Sequence, residues 1–142
     1  MENERHIAHL DLDTFFVSVE KLRNSALIGK PILIGGSNDR GVVAACSYEA
    51  RKFGIHSAMP MYLAKRLCKH AIVIKSDFEA YSKYSKIVTD IIKETVPVFE
   101  KASIDEFYVN LTGMDRFHGC KKFTDELKTK VFKESGLPVS YG

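Results

Sequence analysis

The sequence has no long apolar run and few cysteines, and each absence excludes a class of protein. None of its apolar stretches is long enough to cross a bilayer, and the N-terminus lacks the basic-then-apolar pattern of a signal peptide. The three cysteines, Cys46, Cys68 and Cys120, are too scattered to form a C-x-x-C metal pattern. We therefore expect a cytoplasmic protein with reduced, mostly buried thiols and no membrane association.

Histidines with metal-ligand spacing, internal repeats and low-complexity tracts are also missing. His6 and His9 flank the first predicted strand, and we expect them to be structural or exposed. The 142 residues, of which 45% are hydrophobic, can bury one compact core, alone or with a small inserted lobe. The net charge of +3 is compatible with a polyanionic partner but does not identify one.

Two separated patches of carboxylates carry most of the information. Asp11 lies at the end of an apolar, strand-like stretch, and Asp105 with Glu106 opens another such stretch. Carboxylates that lie close together repel one another unless a cation or a shared proton is present. Magnesium is the usual cation when all the ligands are oxygens. The patches therefore predict a metal site if their strands are neighbours, whereas either patch alone is better explained as solvated acids.

The order of the predicted elements makes those strands neighbours. Seven strands are predicted, at residues 7–12, 32–34, 42–46, 71–74, 98–101, 106–111 and 138–141. Predicted helices lie around residues 16–21, 48–53, 60–68, 77–95 and 121–133. Without the middle lobe, the order is βαββαβ, which is typical of a ferredoxin-like α/β (α+β) fold. In that topology the first strand lies beside the acidic end of the strand pair.

Other residues have two interpretations each. Tyr48 and Arg51 are three apart on a short predicted helix, so they share a face that could hold phosphate oxygens, although a surface Arg and a half-buried Tyr are the commoner explanation. Of Phe15 and Phe16, core packing explains one ring, and the other could lie over a sugar. Basic stretches occur near Lys65 and from Lys121 to Lys133, and most such stretches are solvated helix faces.

Four segments, in this order and spacing, resemble the motifs of one enzyme family. They are residues 11–16 (DLDTFF), 41–54 (GVVAACSYEARKFG), 58–60 (AMP) and 102–108 (ASIDEFY). Together they resemble the catalytic N-terminal part of Y-family translesion DNA polymerases, most closely the bacterial DNA polymerase IV group. The resemblance covers essentially the whole chain.

The resemblance implies low-fidelity, template-directed DNA synthesis past damaged bases, with dNTPs and primer–template DNA as substrates. It implies that Asp11, Asp105 and Glu106 are catalytic and bind two Mg²⁺ ions together with the Leu12 carbonyl. It implies that Tyr48 and Arg51 hold the triphosphate of the incoming nucleotide. Phe16 would be the steric gate under the deoxyribose, and Phe15 would pack beside the nucleotide pocket. Ala44 and Ala58 would cover the nascent base pair, and Ser103 would lie at the primer end. It also implies a bacterial, nucleoid-associated protein.

The implied architecture is a ferredoxin-like polymerase palm with a small inserted α/β fingers lobe. The palm would comprise residues 1–21 and 78–142, and the fingers residues 22–77. The family continues with a lysine motif, a thumb and a DNA-gripping C-terminal domain, which lie outside the 142 residues. Peptides that bind the sliding clamp typically lie in the same C-terminal part of the family. Ala45 also occupies a position where the family often has a residue with a hydroxyl group. We therefore expect the 142 residues to fold but to copy DNA weakly or not at all, and robust primer extension would contradict this.

Two alternatives come from other classes of protein. Residues 10–14 (LDLDT) also fit the D-x-D-x-T motif of haloacid-dehalogenase-like phosphatases, with Asp11 as the nucleophile and Asp13 as the general acid. That hypothesis gives no role to Tyr48, Arg51 or the Asp105–Glu106 pair. Trapping an aspartyl-phosphate intermediate would favour it. The second alternative is a non-catalytic, polymerase-like binding module. The three intact acids disfavour it for the longer parent protein and leave it open for the 142 residues alone.

Overall fold

A computed structural model describes most of the chain, namely residues 7–36, 40–112 and 120–141. Its strands are β1 (Ile7–Leu12), β2 (Ile32–Gly35), β3 (Val43–Cys46), β4 (Ile72–Ile74), β5 (Phe99–Ser103), β6 (Glu106–Asn110) and β7 (Val139–Tyr141). Its helices are α1 (Phe15–Arg23), α2 (Tyr48–Arg51), α3 (Met61–Leu67), α4 (Phe78–Thr95) and α5 (Cys120–Ser135), with a 3₁₀ turn at Ser25–Leu27. None of these helices combines the length and the apolar composition that crossing a bilayer requires.

The chain packs as two units. The first unit combines the N-terminal segment up to Asp13, which includes β1, with the chain from Glu79 onward. The second unit is Thr14–Phe78. Helix α1 packs within the second unit, against β2 and β3. The predicted palm included this helix, so the packing divides the chain earlier than the predicted boundary between residues 21 and 22. The assignment of palm and fingers stays a prediction.

The first unit has the predicted βαββαβ order, formed by β1, α4, β5, β6, α5 and β7. Its four strands form one sheet in the order β5-β6-β1-β7, and every neighbouring pair is antiparallel. This order confirms the predicted ferredoxin-like α/β class. The central pair, β1 and β6, sets Asp11 directly opposite Glu106.

Alternating burial gives this sheet one covered face and one open face. Leu10 of β1 and Phe107 of β6 are buried and lie opposite each other, whereas His9 and Tyr108 occupy the other face and are partly exposed. Helix α4 buries a stripe at helical spacing that includes Tyr81, Ser85, Val88 and Ile92. The apolar residues of β1 and β6 thus supply the core, and the polar ones remain accessible.

The second unit has its own sheet and core. Strand β2 pairs antiparallel with β3, as the predicted hairpin requires, and parallel with β4. Gly35 lies at a register shift in this sheet with φ of 155°, and a Cβ there would meet the Val42 carbonyl oxygen at 2.2 Å, so only glycine fits. The core cluster consists of Leu33, Val43, Cys46, Ala50, Ile55, Met59, Met61, Ala64 and Cys68.

Ser47 fixes the start of helix α2. Its buried hydroxyl accepts hydrogen bonds from the N–H groups of Ile32, at 2.8 Å, and Ala50, at 3.3 Å. The helix was predicted to reach Phe53, but it ends at Arg51 and the chain turns at Gly54, where φ is 86°. The serine therefore anchors the Tyr48–Arg51 helix to strand β2.

Removing the ring of Phe107 should destabilise the protein strongly. Phe107 is 1% exposed, so Phe107→Ala leaves a cavity in the core of the first unit and should lower the free energy of unfolding by about 3–5 kcal/mol. Tyr108→Ala is the matched control, because this neighbouring ring is 42% exposed and its loss should cost less than about 1 kcal/mol. Urea unfolding followed by circular dichroism measures both values, and equal losses would contradict the assignment of the two sheet faces.

Candidate active site

Three carboxylates converge at one end of the β1–β6 pair. One oxygen from each of Asp11, Asp105 and Glu106 lies within 4.8 Å of the others, and each residue is partly exposed. The strand register brings Asp11 to Glu106, and the Leu12 N–H donates to the Asp105 carbonyl at 2.9 Å, which holds the turn between β5 and β6 against β1. Strand pairing therefore assembles acids that are more than 90 residues apart in sequence.

The electrostatics of this cluster favour a bound cation. Burial, then the Asp105 carboxylate and then that of Glu106 raise the pKa of Asp11 above its ordinary value, with His9 acting in the opposite direction. Carboxylates that resist ionising together are stabilised by a cation. Three carboxylates form an all-oxygen donor set of the kind that Mg²⁺ and similar hard ions prefer, so the residues present fit a divalent metal.

Ser103 is close enough to orient one of these acids. Its hydroxyl donates to Asp105 Oδ1 at 3.1 Å, across the two-residue turn that joins β5 to β6. The sequence predicted a role for Ser103 at a primer end, and the structure gives it a contact with a carboxylate of the cluster. This hydrogen bond orients the Asp105 carboxylate within the cluster.

The sequence interpretation missed His9 as a member of this site. The side chain stacks on Tyr108, with ring centroids 4.8 Å apart, and its Nε2 lies 3.8 Å from Glu106 Oε2. The signal was present in the His-x-Asp spacing, because residues two apart in a strand share a face. His9 therefore borders the same cluster as Asp11.

Asp13, the second acid of the D-x-D motif, has different partners. Its N–H donates to the Pro138 carbonyl at 2.9 Å, and its Oδ1 accepts a hydrogen bond from the Ser140 hydroxyl. These contacts tie the end of β1 to β7. They give Asp13 a structural role, whereas the phosphatase hypothesis requires it as a general acid.

The paired phenylalanines in the second unit differ in exposure. Phe15 is 3% exposed and belongs to the core, whereas Phe16 is only partly buried. The Phe16 ring lies 5.7 Å from that of Phe15 and meets Phe78 edge-on at 6.0 Å. Of the two rings, Phe16 is therefore the one available to contact a ligand.

Tyr48 and Arg51 lie on one exposed face of α2. The Arg51 guanidinium is 5.2 Å from the centroid of the Tyr48 ring, and both residues are exposed. This cation–π contact pre-orients the guanidinium while leaving its N–H donors accessible. The pair can therefore present positive charge and a phenol to phosphate oxygens.

The small residues of the second unit lie on neighbouring segments. Ala44 in β3 and Ala58 are both exposed, and the Ala58 N–H donates to the Val43 carbonyl at 2.8 Å. Ala58 has φ of 72°, a left-handed conformation that is strained for a residue with a Cβ. Ala45, the next residue of β3, is partly buried and pairs with Ile34 of β2.

The basic stretch on α5 has the mixed charge of a solvated helix face. Lys130 lies 3.9 Å from both Glu94 and Glu134 and donates to the Thr95 hydroxyl at 3.1 Å. Lysines and acids alternate along the same groove, which is lined by Lys121, Lys122, Asp125, Glu126, Thr129, Lys130, Lys133 and Glu134. This pairing agrees with the commoner interpretation of the basic stretch.

The chain is similar in sequence to curated proteins named DNA polymerase IV. DNA polymerase IV of Treponema denticola is 45% identical over 143 residues, which cover 100% of this chain and 36% of that protein. DNA polymerase IV of Clostridium perfringens is 44% identical over 144 residues, which cover 100% of this chain and 40% of that protein. The chain thus spans well under half the length of these relatives.

Solved structures with the same fold include DNA polymerases. The structure described as an insertion ternary complex of Dbh DNA polymerase superimposes with a TM-score of 0.90 at 27% identity, covering 96% of this chain and 41% of the other. DinB from Sulfolobus solfataricus superimposes with a TM-score of 0.87 at the same identity and coverage. A third match is described as a Y-family DNA polymerase chimera.

The sequence profile of the impB/mucB/samB family matches residues 10–142, which is nearly the whole chain. The predicted resemblance to the Y-family DNA polymerases is confirmed by this match and by the relatives named above. The chain belongs to the impB/mucB/samB family.

Proposed function

We propose that this chain forms the catalytic part of a low-fidelity DNA polymerase that copies past damaged bases. The observation that carries the proposal is the convergence of Asp11, Asp105 and Glu106 in a chain of this family. Relatives named DNA polymerase IV and a structural relative described as an insertion ternary complex support the same activity. Residues 1–21 and 78–142 would act as the palm and residues 22–77 as the fingers, with dNTPs and primer–template DNA as substrates.

The metal is proposed to be Mg²⁺, bound as two ions. Asp11, Asp105 and Glu106 would hold them, together with the backbone carbonyl of Leu12. When bound, Mg²⁺ lowers the pKa of an attacking hydroxyl and neutralises charge on a triphosphate. Ser103, which donates to Asp105, would hold that carboxylate in its orientation near the primer end.

The second unit would bind the nucleotide. Tyr48 and Arg51 offer a phenol O–H and a guanidinium on one exposed face, and both can donate to phosphate oxygens. Phe16 would lie under the deoxyribose, where a 2′-hydroxyl would clash with its ring. Ala44 and Ala58 are exposed and small, so they would enclose the nascent base pair loosely and tolerate damaged templates.

The phosphatase alternative is not favoured. It requires Asp13 as a general acid, but the Asp13 carboxylate accepts a hydrogen bond from Ser140 within the sheet. It also leaves Asp105 and Glu106 without a role, although both lie against Asp11. The family match and the named relatives are likewise those of polymerases.

Replacing the matching segment of Treponema denticola DNA polymerase IV with this chain should give an active chimeric polymerase. Because the chain would supply the metal ligands and the nucleotide contacts, the chimera should extend a primer on undamaged DNA and past an abasic site. Asp105→Asn should abolish detectable extension, since it removes a carboxylate of the cluster. Gel-based primer extension measures both.

Asp90→Asn is the matched control for that experiment. Asp90 is an exposed acid of α4 that pairs with Lys86 at 2.9 Å, so its replacement should leave extension unchanged. A folded chimera that extends no primer, or an Asp105→Asn chimera as fast as its parent, would refute the proposal.

In the metal-free chain, Asp11→Asn should raise thermal stability at pH 7. A raised pKa means that the native state keeps the Asp11 proton to higher pH than the unfolded chain does. Stability therefore falls as the pH rises from the ordinary Asp range through the raised pKa, and the amide removes this cost. We expect a higher melting temperature for Asp11→Asn at pH 7 and no difference at pH 3.

Thermal melts in EDTA, followed by circular dichroism, measure this effect. Added Mg²⁺ should then raise the melting temperature of the wild-type chain but not that of Asp11→Asn, because ligand binding stabilises only the protein that binds. Asp90→Asn should behave like the wild type in both conditions. A variant that is less stable at pH 7, or equally shifted at both pH values, would contradict the electrostatic explanation.

Phe16→Ala should relax the discrimination against ribonucleotides. If the ring excludes the 2′-hydroxyl, its loss should reduce the preference of the chimera for dATP over ATP by at least about 10-fold. Single-nucleotide insertion kinetics give the ratio of kcat/KM values. Phe78→Leu is the control, because it alters the ring that packs against Phe16 and leaves Phe16 in place. An unchanged ratio in Phe16→Ala would reject the steric-gate role.

A further inference from the structure

His9 is held beside the carboxylate cluster by two cross-strand pairs. It lies two residues before Asp11 in β1, so the two side chains project from the same face of the sheet. The register sets His9 opposite Tyr108, just as it sets Asp11 opposite Glu106. The four side chains therefore form a square on the open face of the sheet.

The imidazole is fixed in place but lacks a hydrogen bond. Its ring is stacked on Tyr108 at 4.8 Å, with 29° between the ring planes. Its Nε2 atom is buried and, within the described part of the chain, has no hydrogen-bond partner. Glu106 Oε2 lies 3.8 Å away, which is beyond hydrogen-bonding distance but within reach of a small rotation of the glutamate.

His9 and Glu106 carry complementary hydrogen-bonding groups. The His9 ring is stacked on Tyr108, and the two side chains are similarly accessible, with 37% of His9 and 42% of Glu106 exposed. A neutral imidazole carries one N–H, and a carboxylate has two oxygens. One oxygen of Glu106 can therefore accept a hydrogen bond while the other serves a cation.

We infer that His9 is a positioning residue, whose Nε2–H donates to Glu106 and orients this carboxylate for the metal. The inference rests on the proposed metal site. Carboxylates that bind metals are themselves hydrogen-bonded as a rule, and losing such a partner lowers metal affinity by about 10- to 100-fold. Tyr108 contributes by holding the ring, and His9 itself is not a metal ligand.

Two substitutions separate the hydrogen bond from the stacking. His9→Phe keeps an aromatic ring against Tyr108 and removes the donor, whereas His9→Gln keeps an N–H near the position of Nε2 and removes the ring. Mn²⁺ binding to the chain is measured by the loss of the electron paramagnetic resonance signal of free Mn²⁺. We expect about 10-fold weaker binding for His9→Phe and binding within about 3-fold of the wild type for His9→Gln.

A second measurement needs no metal. Long-range ¹H–¹⁵N spectra at pH 8, where an ordinary imidazole is neutral, show which ring nitrogen carries the proton. We expect it on Nε2 in His9. His56 is an internal reference, because its Nδ1 lies 2.8 Å from the Ser57 carbonyl and should carry the proton.

The outcomes distinguish this inference from the proposed function. A wild-type chain that binds no Mn²⁺ would count against the proposed metal site, and the proton position would still decide whether His9 donates to Glu106. A proton on Nδ1 of His9 would overturn the inference. So would a folded His9→Phe variant that binds Mn²⁺ as tightly as the wild type, or a His9→Gln variant that loses as much affinity as His9→Phe.

Discussion

The pairing of β1 with β6 is the interaction on which the site depends. Asp11 and Glu106 are neighbours because the antiparallel register sets them opposite each other, and the Leu12 N–H brings in Asp105 through its carbonyl. A shift of one residue would move Asp11 to the covered face and Leu10 to the open one. The buried pair of Leu10 and Phe107 prevents that shift, so the hydrophobic core determines the geometry of the acids.

The same strand pairing lowers the stability of the metal-free fold while it assembles the proposed metal site. Bringing Asp11 to two further carboxylates and partly burying it raises its pKa, so the metal-free fold carries an electrostatic cost at neutral pH. The apolar face of the sheet offsets that cost, since Leu10, Leu12, Phe107 and Val109 are all at most 3% exposed. The acids can therefore remain close without a cation, and a site assembled in advance loses little conformational entropy when an ion binds.

Much of this could be predicted from the sequence, and the failures have physical reasons. The βαββαβ order followed from hydrophobic periodicity, and that order made neighbours of strands carrying acids 95 residues apart, at Asp11 and Glu106. The end of α2 was misjudged because the turn at Gly54 does not fix how many preceding residues are helical. Helix α1 packs against β2 and β3, the strands that follow it in the chain, and the predicted boundary between palm and fingers stays a prediction.

His9 shows what a search for ligand types overlooks. The five histidines lack the sequence spacing typical of metal ligands, and the residues beside His9 that matter come from β6, not from β1. Period-2 alternation placed it on the face of Asp11, and the register then supplied Tyr108 on one side and Glu106 on the other. In an antiparallel sheet, a residue that orients a metal-binding side chain often lies on the neighbouring strand, directly or diagonally opposite it. Spacing within one strand identifies only one member of such a cross-strand pair.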